Sequence, residues 1–264
     1  MLRAKTLLRP FARRLSNVST QDQEQLNLFN KLGGAWWHDP GLDSLRNINK
    51  VRIPMFRDFV MPIHGDCRHA GTHQSLKGIK MLEVGCGGGF LSEGLAKLGA
   101  DMTGLDTAAD AIQAAKDHAT LDPNLAKNLK YDSVAVEDWA KTHAEKYDVV
   151  VSSEVIEHVN VPEYFLSNCL ACLRPGGSMI LTTMSQTWIG GFVNIFVSEN
   201  ITGIIPKGAH EYSKFIHPKQ MQQLLLAHKC STLDVKGFWI NSYTAESQLL
   251  PVTWFNYAIH AVKH

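Results

Sequence analysis

Short apolar segments alternate with segments of helical spacing from residue 79 onward, and this alternation constrains the fold more than any other feature. It predicts buried strands at residues 79–85, 101–106, 129–136, 147–153 and 178–183. Strand–helix repetition of this kind is typical of a doubly wound, Rossmann-like α/β sheet that is mostly parallel. Candidate strands at 230–240 and 253–262 complete a predicted seven-stranded sheet with an antiparallel last strand.

Helices are predicted between these strands and on both sides of the sheet region. Their ranges are 22–31, 45–60, 90–98, 108–120, 161–173 and 218–228. The first two belong to a helical extension over residues 21–75. Because ligands of such sheets bind beyond the carboxyl ends of the strands, the residues to examine there are Gly85, Asp106, Ser153 and Thr183.

The first 20 residues are basic and contain no acid, and apolar and hydroxyl side chains lie between the basic ones. This pattern predicts a mitochondrial transit peptide, and the alternative is a disordered basic tail. The remainder of the chain, residues 21–264, is expected to form one domain. A formal net charge of +1 gives no reason to expect nucleic acid as a partner. The five cysteines are scattered, which argues against a disulfide framework.

A glycine-rich segment follows the first predicted strand and precedes a helix, which places free backbone N–H groups beside a ligand. Phe90 stands where a dinucleotide fingerprint needs a small residue. Glu83 would repel a pyrophosphate but attract the amino group of S-adenosylmethionine (SAM). Asp106 closes the second strand and can accept ribose hydroxyls. These residues, with Gly85 and Gly87, predict a SAM site; the alternative is a purely structural turn.

Two acids and an imidazole follow the fourth strand. If the segment is helical, Glu154, Glu157 and His158 share one face and can bind a divalent cation such as Mg²⁺. Alternatively, His158 is a general base oriented by a carboxylate, or the segment is a solvated acidic face. Either active arrangement would help to ionise a phenol, whose pKa of about 10 leaves it protonated near neutrality.

Several strings together resemble the ubiquinone-biosynthesis O-methyltransferase family, class I SAM-dependent methyltransferases, in its mitochondrial branch. The resemblance extends from Trp36 to the C-terminus and rests on Trp36-Trp37, Asn47 to Arg52, Leu82 to Gly89, Thr103 to Asp106, Glu154 to His158, Leu173 to Gly177 and Pro206 to His210. The glycine loop is common to many methyltransferases, whereas the combination of the segments Asn47 to Arg52, Glu154 to His158 and Pro206 to His210 is much more specific. One departure is Val134, which stands where many methyltransferases have an acid facing adenine.

The resemblance implies methylation of ring hydroxyls on polyprenylated dihydroxybenzoate and demethylubiquinol. It implies cofactor contacts at Arg52, Gly85, Asp106 and Ser153, and a magnesium-type site at Glu154, Glu157 and His158. It further implies a peripheral position on the matrix face of the mitochondrial inner membrane, within a complex of ubiquinone-biosynthesis proteins.

An apolar insertion over residues 185–210 interrupts the sheet pattern, and its Trp188 and Phe192 suit a membrane interface. A lid helix packed on the core is the alternative. His210, at its end, is a second candidate base or a structural histidine. Two other functions remain open from the residues: a catalytically silent scaffold with this fold, and a dinucleotide-dependent oxidoreductase, which Phe90 disfavours.

Overall fold

The computed structural model describes residues 19–20, 33–187, 212–240 and 246–264. The helix predicted over 22–31 lies outside these ranges, as do residues 188–210 of the apolar insertion and His210. In the described ranges, no helix is both long and apolar enough to cross a membrane.

The chain forms an α/β sheet with helices on both faces. Its helices are α1 (Asp43–Asn47), α2 (Asn49–His64), α3 (Phe90–Lys97), α4 (Ala109–Ala119), α5 (Val136–Trp139), α6 (Pro162–Cys172) and α7 (Pro218–Ala227). Its strands are β1 (Lys80–Val84), β2 (Asp101–Asp106), β3 (Leu129–Ser133), β4 (Tyr147–Ser153), β5 (Leu173–Met184), β6 (Cys230–Ile240), β7 (Ser247–Leu250) and β8 (Asn256–Lys263).

The strands lie in the order β3-β2-β1-β4-β5-β8-β6-β7, with β1 to β5 parallel. Strand β8 runs antiparallel between β5 and β6, so the predicted α/β class, parallel core and antiparallel last strand are confirmed. The strand number was predicted one too low among the described residues. The extra strand, β7, forms a short hairpin with β6 and has two exposed side chains.

Both faces of the sheet are buried, which explains the continuous apolar runs in β1 and β4. On one face, side chains of α2 and α3 such as Phe56 and Leu91 pack against alternate strand residues. On the other face, α6 and α7 contribute Leu166 and Met221 to a second cluster. This two-sided packing fixes the carboxyl ends of β1, β2, β4 and β5 along one edge, where the predicted ligand site lies.

The opposite edge of the sheet contains a partly buried hydrogen-bonded cluster with a defined proton order. An Arg174 Nη2 hydrogen is donated to His64 Nδ1 at 3.3 Å, so the His64 Nε2–H must donate to Ser178 Oγ at 2.9 Å. The Ser178 hydroxyl hydrogen then points to His260 Nε2, also at 2.9 Å. The arrangement requires both imidazoles to be neutral.

The neutral state of His260 makes stability depend on pH. Burial, with a smaller contribution from His64, lowers the pKa of His260 to about 4. The stability from this group is therefore complete above pH 6.5 and is lost as pH falls toward 4. Relative to His260→Gln, we expect the wild type to lose about 3 kcal/mol between pH 7 and pH 4. Calorimetric unfolding of both proteins across this range measures the difference, and parallel curves would contradict it.

Candidate active site

The glycine loop between β1 and α3 requires glycine at two positions for steric reasons. Gly85 has φ +80, and a Cβ there would lie 2.3 Å from Cγ2 of Val155. Gly87 has φ +51, and a Cβ there would lie 2.8 Å from the Trp36 ring. The left-handed backbone disfavours residues that have a Cβ, and the neighbouring side chains leave no room for a Cβ at either position. The loop is thus in direct contact with the turn that follows β4.

Asp106 fixes the loop from the end of β2. Its Oδ2 accepts the Gly87 N–H at 2.8 Å, and its Oδ1 accepts the Ala108 N–H at 2.9 Å. Burial raises the pKa of Asp106. Each carboxylate oxygen has a second lone pair, so Asp106 can still accept ribose hydroxyls as predicted.

An N-terminal 3-10 segment, Gly33–Trp37, covers the outside of the loop. Trp37 donates its Nε1–H to the Gly88 carbonyl at 2.9 Å and stacks on His118. Its ring meets Phe90 edge-on, with centroids 4.5 Å apart. Phe90 therefore packs against both Trp36 and Trp37. This packing role was not predicted from the sequence.

Glu83 is buried at the end of β1, where it accepts the Ser92 hydroxyl hydrogen at 2.5 Å. Burial raises its pKa to about 7, although Ser92 and the nearby Arg52 act in the opposite direction. A buried carboxylate at this position is suited to a cationic ligand group, because such a group compensates for lost hydration.

Arg52 connects the N-terminal extension to the strand ends. Its guanidinium is 6% exposed and donates from Nη1 to Ser153 Oγ at 2.7 Å and from Nε to Asn49 Oδ1 at 3.1 Å. Ser153 in turn hydrogen-bonds Thr182 Oγ1 at 2.6 Å. Burial lowers the pKa of Arg52, while Glu154 and Glu83 raise it. The predicted residues Arg52 and Ser153 are therefore direct neighbours beside Glu83.

Glu154 and Glu157 form a hydrogen-bonded carboxyl pair just beyond β4. Glu154 accepts from Thr182 Oγ1 at 2.8 Å and from Asn256 Nδ2 at 3.2 Å. Glu157 is buried and accepts from Thr183 Oγ1 at 2.9 Å. Burial, then repulsion by Glu154, raises the pKa of Glu157 well above its ordinary value. Such a pair is stable only when a proton or a cation lies between the carboxyl groups.

The segment that carries these acids is not the helix that the spacing predicted. Glu154 has φ +57, and a single 3-10 turn begins only at Ile156 and ends at His158. Consequently Glu154, Glu157 and His158 do not share one helical face. Within the described ranges, no three His, Cys, Asp or Glu side chains are grouped to hold a metal. The helical arrangement predicted for the three ligands is therefore wrong, whereas the two carboxylates are together and the metal site itself stays a prediction.

The acid after β3 has a partner from the N-terminus. Glu137 Oε1 accepts both the backbone N–H and the hydroxyl of Thr20. The Thr20 carbonyl accepts the Asn160 N–H at 2.9 Å, and Thr20 is buried. The Glu137 carboxylate is therefore already hydrogen-bonded to Thr20. It lies shortly after Val134, which stands where many methyltransferases have an acid that faces adenine.

Comparison with known proteins defines the class. Residues 65–247 match a family model described as a methyltransferase domain. A SAM-dependent methyltransferase from Methanosarcina mazei has a TM-score of 0.54 at 19% identity, over 70% of this chain and 92% of that chain. Magnesium protoporphyrin IX methyltransferase from Synechocystis PCC 6803, with bound SAH, gives 0.51 at 19%, over 72% and 75%. This chain is a SAM-dependent methyltransferase.

Relatives with higher sequence identity show which methyltransferase family the chain belongs to. Ubiquinone biosynthesis O-methyltransferase, mitochondrial, from Rattus norvegicus is 35% identical over 100% of this chain and 76% of the relative. The Homo sapiens protein of the same name is 36% identical over 99% and 70%. The Sinorhizobium fredii ubiquinone biosynthesis O-methyltransferase is 33% identical over 92% and 96%. The chain belongs to the ubiquinone biosynthesis O-methyltransferase family, and the oxidoreductase alternative is wrong.

SAM affinity should depend on pH through Glu83. Below pH 7 the buried Glu83 is protonated in the free protein, and a neutral carboxyl attracts an ammonium group weakly. We therefore expect SAM affinity to increase about five- to tenfold from pH 6 to pH 7.5. Titration calorimetry at both pH values measures this change. Glu83→Gln should bind more weakly and with little pH dependence; an equally steep dependence in that variant would exclude Glu83.

Proposed function

We propose that this protein methylates a ring hydroxyl of polyprenylated catechols, 3,4-dihydroxy-5-polyprenylbenzoate and demethylubiquinol, in ubiquinone biosynthesis. The observation that carries the proposal is the charge balance at the carboxyl edge of the sheet. Glu83, Glu154 and Glu157 lie there with raised pKa values, and Arg52 is the buried cation among the described residues nearby. An acid-rich, partly dehydrated site favours cationic ligands.

The two ends of this edge suit the two reactants. We assign the cofactor to the end that Gly85, Gly87, Asp106 and Glu83 form, next to Arg52 and Ser153; the contacts among these residues support the assignment. When bound, SAM supplies a methyl group already activated by the sulfonium. Transfer forms a carbon–oxygen bond, breaks the carbon–sulfur bond, and leaves S-adenosylhomocysteine, an aryl methyl ether and the phenolic proton.

Glu154 and Glu157 are the residues that we assign to the phenolic end. Glu157 Oε1 is buried and has no fixed donor within the described residues. The two carboxyl groups share a proton, so we assign acceptance of the phenol hydrogen to the pair after that proton has left. A general base acts best when it is within hydrogen-bond reach of the proton that it accepts. The same pair fits Mg²⁺, which commonly uses one or two protein carboxylates and keeps other positions for water and substrate.

When bound, a divalent cation would favour phenolate over phenol. Glu154 and Glu157 are its expected protein ligands. His158 stays a candidate base or third ligand that would have to move, and His210 stays a candidate base by sequence. Among these possibilities, the carboxyl pair has the structural support of the unmatched Glu157 oxygen.

A chelator experiment tests the metal part of this proposal. Labelled methyl transfer to a panel of short-chain catechols is measured with and without chelator. We expect chelator to abolish turnover and Mg²⁺ to restore it. Activity that is insensitive to chelator would assign phenol activation to the carboxyl pair without metal, or to His158 or His210.

The cellular setting is also a proposal, although mitochondrial relatives support a mitochondrial location. We assign residues 1–20 to a transit peptide and place the mature enzyme peripherally on the matrix face of the inner membrane, with other ubiquinone-biosynthesis proteins. Residues 185–210 would contact lipid while the substrate head enters the site. Replacing Trp188 and Phe192 together with serine should weaken liposome binding and leave SAM affinity unchanged; unchanged liposome binding would favour the lid alternative.

A further inference from the structure

The carboxyl pair is asymmetric in its hydrogen bonds. Both oxygens of Glu154 accept hydrogen bonds, Oε1 from Thr182 and Oε2 from Asn256. Glu157 accepts one bond at Oε2 from Thr183, while its buried Oε1 has no fixed donor among the described residues. The Glu154 and Glu157 carboxyl groups also hydrogen-bond each other, so the proton that they share belongs to the pair.

The donor from Asn256 belongs to a different part of the chain from the others. Asn256 is the first residue of β8 and is 6% exposed. It lies opposite Met184 in the antiparallel register, next to the ends of β4 and β5. Because β8 is paired on both sides by β5 and β6, the amide has a rigid support. A side-chain amide nitrogen can only donate, so it favours an ionised Glu154 oxygen.

We propose that Asn256 is a positioning residue for methyl transfer. By occupying Glu154 Oε2 it prevents this carboxylate from turning, and it leaves Glu157 Oε1 as the oxygen that meets the substrate hydroxyl or a divalent cation. The inference rests on the proposed function, since it concerns the same carboxyl pair. Outer residues that orient ligating carboxylates commonly change metal affinity or activity by about 10- to 100-fold when replaced.

The backbone of Glu154 makes this support necessary. Its φ of +57 is uncommon for a residue with a Cβ, and a strained conformation persists only where surrounding contacts determine it. Thr182 and Asn256 are two such contacts, one on each carboxylate oxygen. Loss of either should allow the turn after β4 to relax.

Asn256→Leu, of similar size but without the amide, tests the inference. Three quantities are measured: kcat for catechol methylation, the dissociation constant of Mn²⁺ from its paramagnetic resonance signal, and the dissociation constant of SAM. We expect kcat and Mn²⁺ affinity each to fall about 10- to 100-fold, with SAM affinity unchanged within about threefold. Asn256→Ser, which keeps a short donor, should recover part of the loss.

Ser178→Ala is the control, since it removes another buried, hydrogen-bonded polar group from a strand, at the opposite edge of the sheet. It should lower the unfolding temperature without changing kcat, which separates a loss of stability from a loss of positioning. Wild-type kcat and Mn²⁺ affinity in Asn256→Leu would overturn the inference. If Asn256→Leu does not fold, equal kcat for Asn256→Ser and the wild type would overturn it. Absence of methyl transfer by the wild type would instead refute the proposed function.

Discussion

Gly85→Ala is expected to reduce SAM affinity by about 100-fold or more. The new Cβ would stand 2.3 Å from Cγ2 of Val155, and the φ of +80 is unfavourable for alanine. The loop can relieve both problems only by moving away from the turn after β4, and this movement displaces the backbone that faces the cofactor. Titration calorimetry with SAM measures the loss.

Gly78→Ala provides a control with the same backbone conformation. Gly78 has φ +81, and a Cβ there would meet nothing within 4 Å. This variant should lose about 1 kcal/mol of stability and bind SAM as the wild type does. Adding Val155→Ala to Gly85→Ala should restore part of the affinity, because it removes the steric conflict but not the backbone strain. Wild-type affinity in Gly85→Ala would contradict the assignment of the loop.

Glu157→Gln is expected to lower kcat by about 100- to 1000-fold, the usual contribution of a positioned acid or base. The amide has nearly the same shape but cannot accept a proton or bind a divalent cation strongly. SAM affinity should be unchanged within about threefold, since we assign Glu157 to the phenolic end of the site. Steady-state kinetics with a catechol acceptor and SAM titration measure the two quantities.

The exposed Glu163 at the start of α6 gives the matched control for this substitution. Glu163→Gln makes the same chemical change on the surface, so both kcat and SAM affinity should remain at wild-type values. A kcat within about threefold of the wild type in Glu157→Gln would refute the role of this carboxylate, and attention would turn to His158 and His210.

The strands and helices of the sheet core were predictable because their signals are local. Apolar runs bounded by strand-breaking residues predicted both ends of β1 to within one residue. They predicted β2, β4 and β6 at their observed bounds. The strand β7 was missed because four residues with two exposed side chains carry no alternation signal. The third strand was predicted too long, since Val136 begins a short helix that packs in the second core cluster.

Site residues at strand ends could be predicted from the sequence. Site residues whose position depends on contacts between distant segments could not. Gly85, Asp106 and Ser153 all lie at strand ends on the edge that the topology rule indicates. The spacing of Glu154 and Glu157 suggested a helix, but the tertiary contacts of Glu154 with Thr182 and Asn256 impose a left-handed backbone instead. No local pattern places Asn256 beside residue 154.

Ser92 and Thr182 show the same limit. Ser92 is one turn into α3, and its bond to Glu83 depends on the path of the glycine loop. The position of Thr182 beside Ser153 depends on the parallel register of β4 and β5, which pairs these two residues. The sequence did indicate the end of β5, through Thr183, so a search of all hydroxyls near strand ends would have included Thr182.

The most direct test of the account is methyl transfer by the purified protein from labelled SAM to a short-chain polyprenylated catechol. We predict one labelled aryl methyl ether and one S-adenosylhomocysteine per turnover, with kcat lowered about 100- to 1000-fold when Glu157 is replaced by glutamine. Tight SAM binding without any methyl transfer to catechols, under conditions in which a related family member is active, would contradict the account and support a catalytically silent scaffold.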